Sequence, residues 1–241
     1  MKTLVAMDTK SVVGKSLVEE RTGQPCENFR NGDHTTTLIR TENGKVIEIQ
    51  HDVMTPQPYN RLYQLTGTKG FANKYPIAGY ALDAKQLNAS GVAPEVDNLN
   101  SHSFMPKKDM EALVQKYQHP ILKKYGEMAK EVGGHGGMDF IMDSRLVYCL
   151  QNGLPLDMDV YDLAEWCCLA ELGELSMDNN CAAVAFPDFT RGEWNKVKGY
   201  KHAYASPEDE SVAMEKAKKI TAKLKEKGAV EWAGEAVENK K

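Results

Sequence analysis

An Asn43-Gly44 turn between two β-patterned segments constrains this chain most. On one side stands His34-Thr35-Thr36-Thr37-Leu38-Ile39-Arg40-Thr41, rich in β-branched residues. On the other, Val46-Ile47-Glu48-Ile49-Gln50-His51-Asp52-Val53 alternates. Asn-Gly is the strongest short hairpin signal, so the two segments are expected to return on each other antiparallel. Residues 2–7 read as a preceding strand. Residues 60–66 and 70–74 read as two more strands around Gly67-Thr68-Lys69-Gly70. The expectation is an antiparallel meander over residues 33–74 within one larger sheet. His51 and Asp52 then lie on opposite faces of that sheet, as hydrogen-bonding residues rather than catalysts.

The second half of the sequence changes period. Residues 106–117 and 120–131 are amphipathic and basic. Residues 138–150 place Met138, Ile141, Met142, Leu146 and Cys149 at helical spacing and stop at Asn152-Gly153, a good C-cap. Residues 159–176 open on Asp159 and carry Leu163, Trp166, Cys167, Ala170 and Leu175, which predicts one helix. Residues 207–227 read as a highly charged helix with a solvated face. Strands first and helices after define an α+β fold: a mostly antiparallel (mixed) sheet with helices packed on one face. The expected division is a sheet-plus-helices domain over residues 1–200 and a charged helical tail over 201–241.

With 241 residues, 41% of them hydrophobic and 27% charged, the chain can bury a sizeable core. A net charge of -4 argues against a nucleic-acid surface. No apolar run approaches the roughly 20 residues of a membrane span, and the N-terminal apolar run is too short for a signal peptide, so neither a membrane nor a compartment is indicated. Cys26, Cys149, Cys167, Cys168 and Cys181 show no repeated spacing, and no paired His/Cys motif points to a metal.

The chemical handle is Gly133-Gly134-His135-Gly136-Gly137, which runs into Met138-Asp139-Phe140-Ile141. Four glycines leave a bare backbone around one imidazole, at the point where a loop becomes a helix. Free N–H groups at such a helix start suit hydroxyl or anionic ligands. The segment does not follow a strand in a βαβ unit, and no G-x-G-x-x-G is present, so it is not a dinucleotide fingerprint.

Several segments, taken together and in order, carry a resemblance. They are Gly32-Asp33-His34-Thr35-Thr36-Thr37, Ile49-Gln50-His51-Asp52-Val53, Pro58-Tyr59-Asn60-Arg61 with Gly67-Thr68-Lys69-Gly70-Phe71-Ala72, Gly134-His135-Gly136-Gly137-Met138-Asp139, Asn152-Gly153-Leu154-Pro155-Leu156-Asp157, and Pro187-Asp188-Phe189-Thr190-Arg191-Gly192. From about residue 3 to about residue 197 the chain resembles the C-terminal part of glycoside hydrolase family 109, NAD-dependent glycosidases of α-N-acetylgalactosaminidase type within the Gfo/Idh/MocA oxidoreductase superfamily. Members are often exported to the periplasm of bacteria.

The resemblance implies transient oxidation of a sugar hydroxyl by NAD held on a Rossmann domain, followed by elimination of the aglycone and re-reduction. It places that domain, and a Tyr-Pro-Thr-His motif, ahead of the strand matching residues 4–7; neither occurs in this sequence. The implied role of the chain is substrate binding and oligomerisation, with no cofactor of its own and no catalysis alone. Its partners are an N-acetylgalactosaminide-like sugar, a Rossmann domain from the same or another chain, and further copies through the sheet. Tyr59 matches the tyrosine of a Pro-Arg-Pro-Tyr-Ser-Arg segment and is expected at the sugar, with Gln57 and Asn60 departing from that pattern. His135, with Gly134 and Gly136, matches the histidine loop at the pocket mouth. The alternative from another class is a stand-alone oligomerising module without activity, built on Leu38, Val46, Ile47, Ile49, Leu62 and Leu65 as an apolar sheet face.

Overall fold

The computed structural model describes residues 1–91, 102–153 and 156–195. The tail over 201–241, with its expected helix at 207–227, lies outside the described residues. The strands are β1 (Thr3–Asp8), β2 (Thr35–Arg40), β3 (Val46–His51), β4 (Gln64–Thr66), β5 (Gly70–Asn73), β6 (Gly79–Leu82) and β7 (Val184–Ala185). The helices are α1 (Val13–Thr22), α2 (Ala84–Ser90), α3 (Lys107–Tyr117), α4 (Pro120–Val132), α5 (Met138–Asn152), α6 (Val160–Cys167) and α7 (Leu169–Asp178).

All described strand pairings are antiparallel, so the α+β class stands. The expected single sheet does not. One sheet has the order β3-β2-β1-β7 and the other β4-β5-β6. The chain forms two compact units: residues 1–56 with the described residues from Met142 onward, and residues 57–141. The boundary after Ile141 falls inside α5.

The meander breaks between His51 and Gln64, for local reasons. Asp52 Oδ1 accepts from the Met54 and Thr55 amides, and Asp52 Oδ2 accepts from the Thr55 hydroxyl at 2.6 Å, closing a turn straight after β3. Two prolines follow, Pro56 and Pro58. Leu62 and Tyr63 are then both left-handed, with φ of 55° and 49°. A strand cannot run through such residues, so β4 starts at Gln64 rather than at 60.

In the first unit, β1 is central. Leu4, Ala6 and Ile39 are buried against Leu169, Leu172 and Met177 of α7, joined by Ile49 and Phe186. Because β7 pairs only with Thr3 and Leu4, the Ala6 amide has no ladder partner on that side. The fully buried Ser176 hydroxyl accepts from it at 3.0 Å and donates to the Ala182 carbonyl at 2.7 Å. A buried amide left unpaired would cost a lost hydrogen bond. The helix expected over 159–176 is two helices, with Cys168 at the junction (φ -72°, ψ -8°). Its start is as expected: Asp159 and Asp162 form a reciprocal capping box. Arg145 of α5, its side chain largely buried, makes a two-pronged contact with Asp157 at 3.0 and 3.2 Å.

The faces of this sheet follow from register. Leu4 opposes Ile39, and Ile39 opposes Ile47. Ile47 and Ile49 therefore share the face that α7 covers, not the outer one. Leu38 and Val46 alternate to the outer face with Val5 and Met7, among Thr3, Thr36, Arg40, Glu48 and Gln50. Leu62 lies in no strand and Leu65 belongs to the other sheet. Of the expected apolar face only Leu38 and Val46 remain, and Val5 and Met7 of β1 join them there.

In the second unit, α3 covers the small sheet. Met105 is buried and packs with Tyr80, Leu82, Met110 and Leu113. Its amide donates to the Tyr80 carbonyl at 2.8 Å, and the Phe104 ring lies against Gly79 where a Cβ would come within 2.6 Å. Strand β6 and helix α2 had no counterpart in the sequence reading.

Candidate functional site

The glycine loop is built by its backbone. Gly133, Gly134, His135, Gly136 and Gly137 all have positive φ, at 91°, 74°, 48°, 72° and 98°. Five consecutive left-handed residues are open almost only to glycine, which accounts for four of the five identities. The loop follows α4, whose Ala129 carbonyl accepts from the Gly133 amide. At Gly137 a second constraint applies: a Cβ there would come within 2.5 Å of the Ala129 backbone. Here glycine serves the packing of the loop on α4. At Gly136 a Cβ would meet nothing within 4 Å.

The Gly134 carbonyl accepts from the Gly137 amide at 2.9 Å and the Asp139 amide at 3.3 Å, so the loop closes on the first turn of α5. This geometry brings His135 onto Asp139, with Nδ1 2.9 Å from Oδ2. The carboxylate fixes the ring orientation and favours a proton on Nδ1. Nε2 has no partner among the described residues, and the His135 side chain is 73% exposed. An oriented imidazole with one open nitrogen can give or accept a hydrogen bond from a bound hydroxyl. Sequence reasoning found His135 but missed Asp139. The helical spacing rule gave no signal here, because residues 135–137 are left-handed and the loop's own backbone brings the two side chains together.

Tyr59 lies in the same unit and has different neighbours. Its ring meets Tyr75 edge-on, with centroids 6.0 Å apart, and the Arg61 guanidinium carbon is 5.5 Å from its centroid. Tyr63 packs beside Tyr75 at 6.5 Å, and the Lys74 ammonium sits 5.4 Å from the Tyr63 ring and 5.5 Å from the Tyr75 ring. The Tyr63 and Tyr59 hydroxyls beside Arg61 hold its guanidinium pKa above the ordinary value. Tyr59 is 69% exposed and Tyr63 57%. The sequence reading singled out Tyr59 alone. The alternation Tyr59-x-Arg61-x-Tyr63 was the available signal. Among the described residues no ring contact or hydrogen bond joins Tyr59 to His135; each stands in its own cluster.

Asp33, His34, Asp52 and Asp188 of the other quoted motifs hold turns and a helix start. Asp33 is buried and accepts from the Val12, Val13 and Gly14 amides at 2.8 to 2.9 Å, capping α1 from some 20 residues away. Those amides, Gly14 foremost and then Val13, hold its carboxyl below the usual range. His34 bridges β2 to the turn, with Nδ1 3.4 Å from Asp52 and Nε2 3.2 Å from Thr36 Oγ1. The Thr55 hydroxyl, chief among several donors, lowers the Asp52 pKa to about 2. Asp188 organises its own turn through Thr190 and Gly192. Asp52 stands just past β3, not within a strand as expected.

No group of three or more His, Cys, Asp or Glu among the described residues could hold a metal ion. No described helix is long and apolar enough to cross a membrane. Every described strand pairing is antiparallel and the glycine loop follows a helix, so no strand–glycine loop–helix unit of the dinucleotide-binding kind is present among the described residues.

Two antiparallel sheets, each with its own helical cover, and a left-handed histidine loop at the head of a helix define an α+β domain of antiparallel type. The chain belongs to glycosyl hydrolase family 109: residues 1–196 match the model of that family's C-terminal domain. It is 84% identical over 239 residues to glycosyl hydrolase family 109 protein 5 of Phocaeicola vulgatus, covering 99% of this chain and 46% of that protein. Protein 3 of the same organism is 65% identical over 94% of the chain and 41% of its own length. A Porphyromonas gingivalis family 109 protein is 60% identical over 85% of the chain and 44% of its own length. The chain thus spans a little under half the length of these curated relatives.

Proposed function

We propose that this chain is the substrate-binding part of a glycoside hydrolase acting on α-N-acetylgalactosaminide-like sugars, with His135 and Tyr59 facing the sugar. The observation that carries the reading is the His135–Asp139 pair on its left-handed loop. It is a positioned imidazole with an open nitrogen, in a chain of a glycosidase family. Gly134 and Gly136 flank that imidazole without side chains, leaving backbone exposed to a ligand. Tyr59 adds a ring face and a hydroxyl, the two features a sugar engages. NAD, which the family resemblance implies, belongs in this reading to a separate Rossmann domain.

The test joins this chain to the preceding half of the Phocaeicola vulgatus relative. His135→Ala and Tyr59→Phe should each lower turnover of an α-N-acetylgalactosaminide about tenfold or more, while the NAD dissociation constant stays within a factor of about two. Unchanged turnover in both variants would overturn the reading.

A second role is compatible with the first. The outer face of the larger sheet carries Met7, Leu38 and Val46, at 61%, 46% and 68% exposure. These support self-association of the chain through that face.

A further inference from the structure

The segment carrying Tyr59 holds more than a sugar face needs. Arg61 and Lys74 each sit over tyrosine rings, and neither has a carboxylate partner among the described residues. Other cations of the chain do have one, as Arg30 meets Glu174 at 2.7 Å and Arg145 meets Asp157 at 3.0 Å; what sets Arg61 and Lys74 apart is that both stand on one group of tyrosines. The rings of Tyr59, Tyr75 and Tyr63 join the two cations into one continuous surface, through centroid distances of 6.0 and 6.5 Å. Large aromatic rings left mostly exposed are expected where something else covers them.

The backbone beneath this surface is held in an uncommon shape. Asn60 Oδ1 accepts from the Leu62 amide, and the Arg61 carbonyl accepts from the Tyr63 amide at 2.7 Å. Leu62 and Tyr63 are consecutive left-handed residues with side chains. Such residues are strained, and outliers of this kind cluster at ligand sites.

We infer that Tyr59, Arg61, Tyr63, Lys74 and Tyr75 form a subsite for an anionic saccharide, one whose sulfate or carboxylate lies between Arg61 and Lys74 while its ring stacks on tyrosine. The inference rests on the reading of Tyr59 as a sugar-facing residue and adds the charge of the ligand. Rings bind any sugar face, but only an anion gains from two unpaired cations.

The experiment titrates the full chain with N-acetylgalactosamine and with N-acetylgalactosamine 6-sulfate, and separately with galactose and galacturonic acid. The sulfate and the carboxylate should each be preferred over the matching neutral sugar by about tenfold. Arg61→Gln and Lys74→Gln should each remove most of that preference, read as the ratio of anionic to neutral affinity within each variant. Lys69→Gln, on the exposed β4–β5 turn, should keep it, which separates a site from general attraction of anions. Thermal melts of all variants should coincide with the parent. Equal affinity for anionic and neutral sugars, or a preference that survives in Arg61→Gln and Lys74→Gln, overturns the inference while leaving the sugar site standing. Absence of binding to all four sugars overturns both.

Discussion

His135 shows how one side chain acquires a direction. Its left-handed backbone, the Gly134 carbonyl and the Asp139 carboxylate together fix the imidazole, although the ring is largely exposed. The flanking glycines should differ in tolerance. Gly137→Ala meets both an unfavourable φ and the Ala129 backbone, whereas Gly136→Ala meets only the φ. Thermal unfolding should show Gly136→Ala costing about 1 kcal/mol and Gly137→Ala about 3 kcal/mol or more. Equal losses would contradict the packing of the loop on α4. Asp52 supplies a pH signature. Its folded pKa is depressed to about 2 from 3.8, so its stabilisation is present above about pH 4 and is lost as pH falls through that window. Asp33, also depressed, acts in the same direction. The melting temperature of Asp52→Asn should therefore fall less steeply between pH 4 and pH 2 than that of the parent.

At the level of elements, patterns that depend on neighbours in sequence were legible and those that depend on distant partners were not. The Asn43-Gly44 hairpin, the helix starts at Asp159 and Pro120 and the Gly153 stop are local chemistry, and all are present. The β4 start was misplaced because left-handed Leu62 and Tyr63 have no local signature of the glycine kind. The separation into two sheets depends on the Asp52–Thr55 turn, whose hydrogen bonds the alternation of 46–53 conceals. The helix break at Cys168 lies inside an unbroken apolar pattern. At the candidate site, His135 and Tyr59 were visible as residue types and Arg61 as part of an alternation left unread, while Asp139 and Lys74 emerged only from geometry. Two predictions belong here. Ser176→Ala strands the Ala6 amide and should destabilise the chain by about 1–3 kcal/mol in denaturant melts. Sedimentation velocity should show self-association that Val46→Glu abolishes, because that residue stands on the outer sheet face at an edge strand. An identical distribution for both proteins would remove the sheet face from the account.

In the whole molecule, a chain of a glycosidase family carries two side-chain clusters in the unit formed by residues 57–141. The central claim is that His135 and Tyr59 serve one sugar. The most direct measurement is NMR of the chain carrying labelled histidine and tyrosine, titrated with methyl α-N-acetylgalactosaminide. The account predicts that the His135 and Tyr59 resonances shift together along one binding curve, with a common dissociation constant, and that His135→Ala weakens the curve read at Tyr59. Shifts at one residue without the other, or two curves with unrelated midpoints, would contradict it.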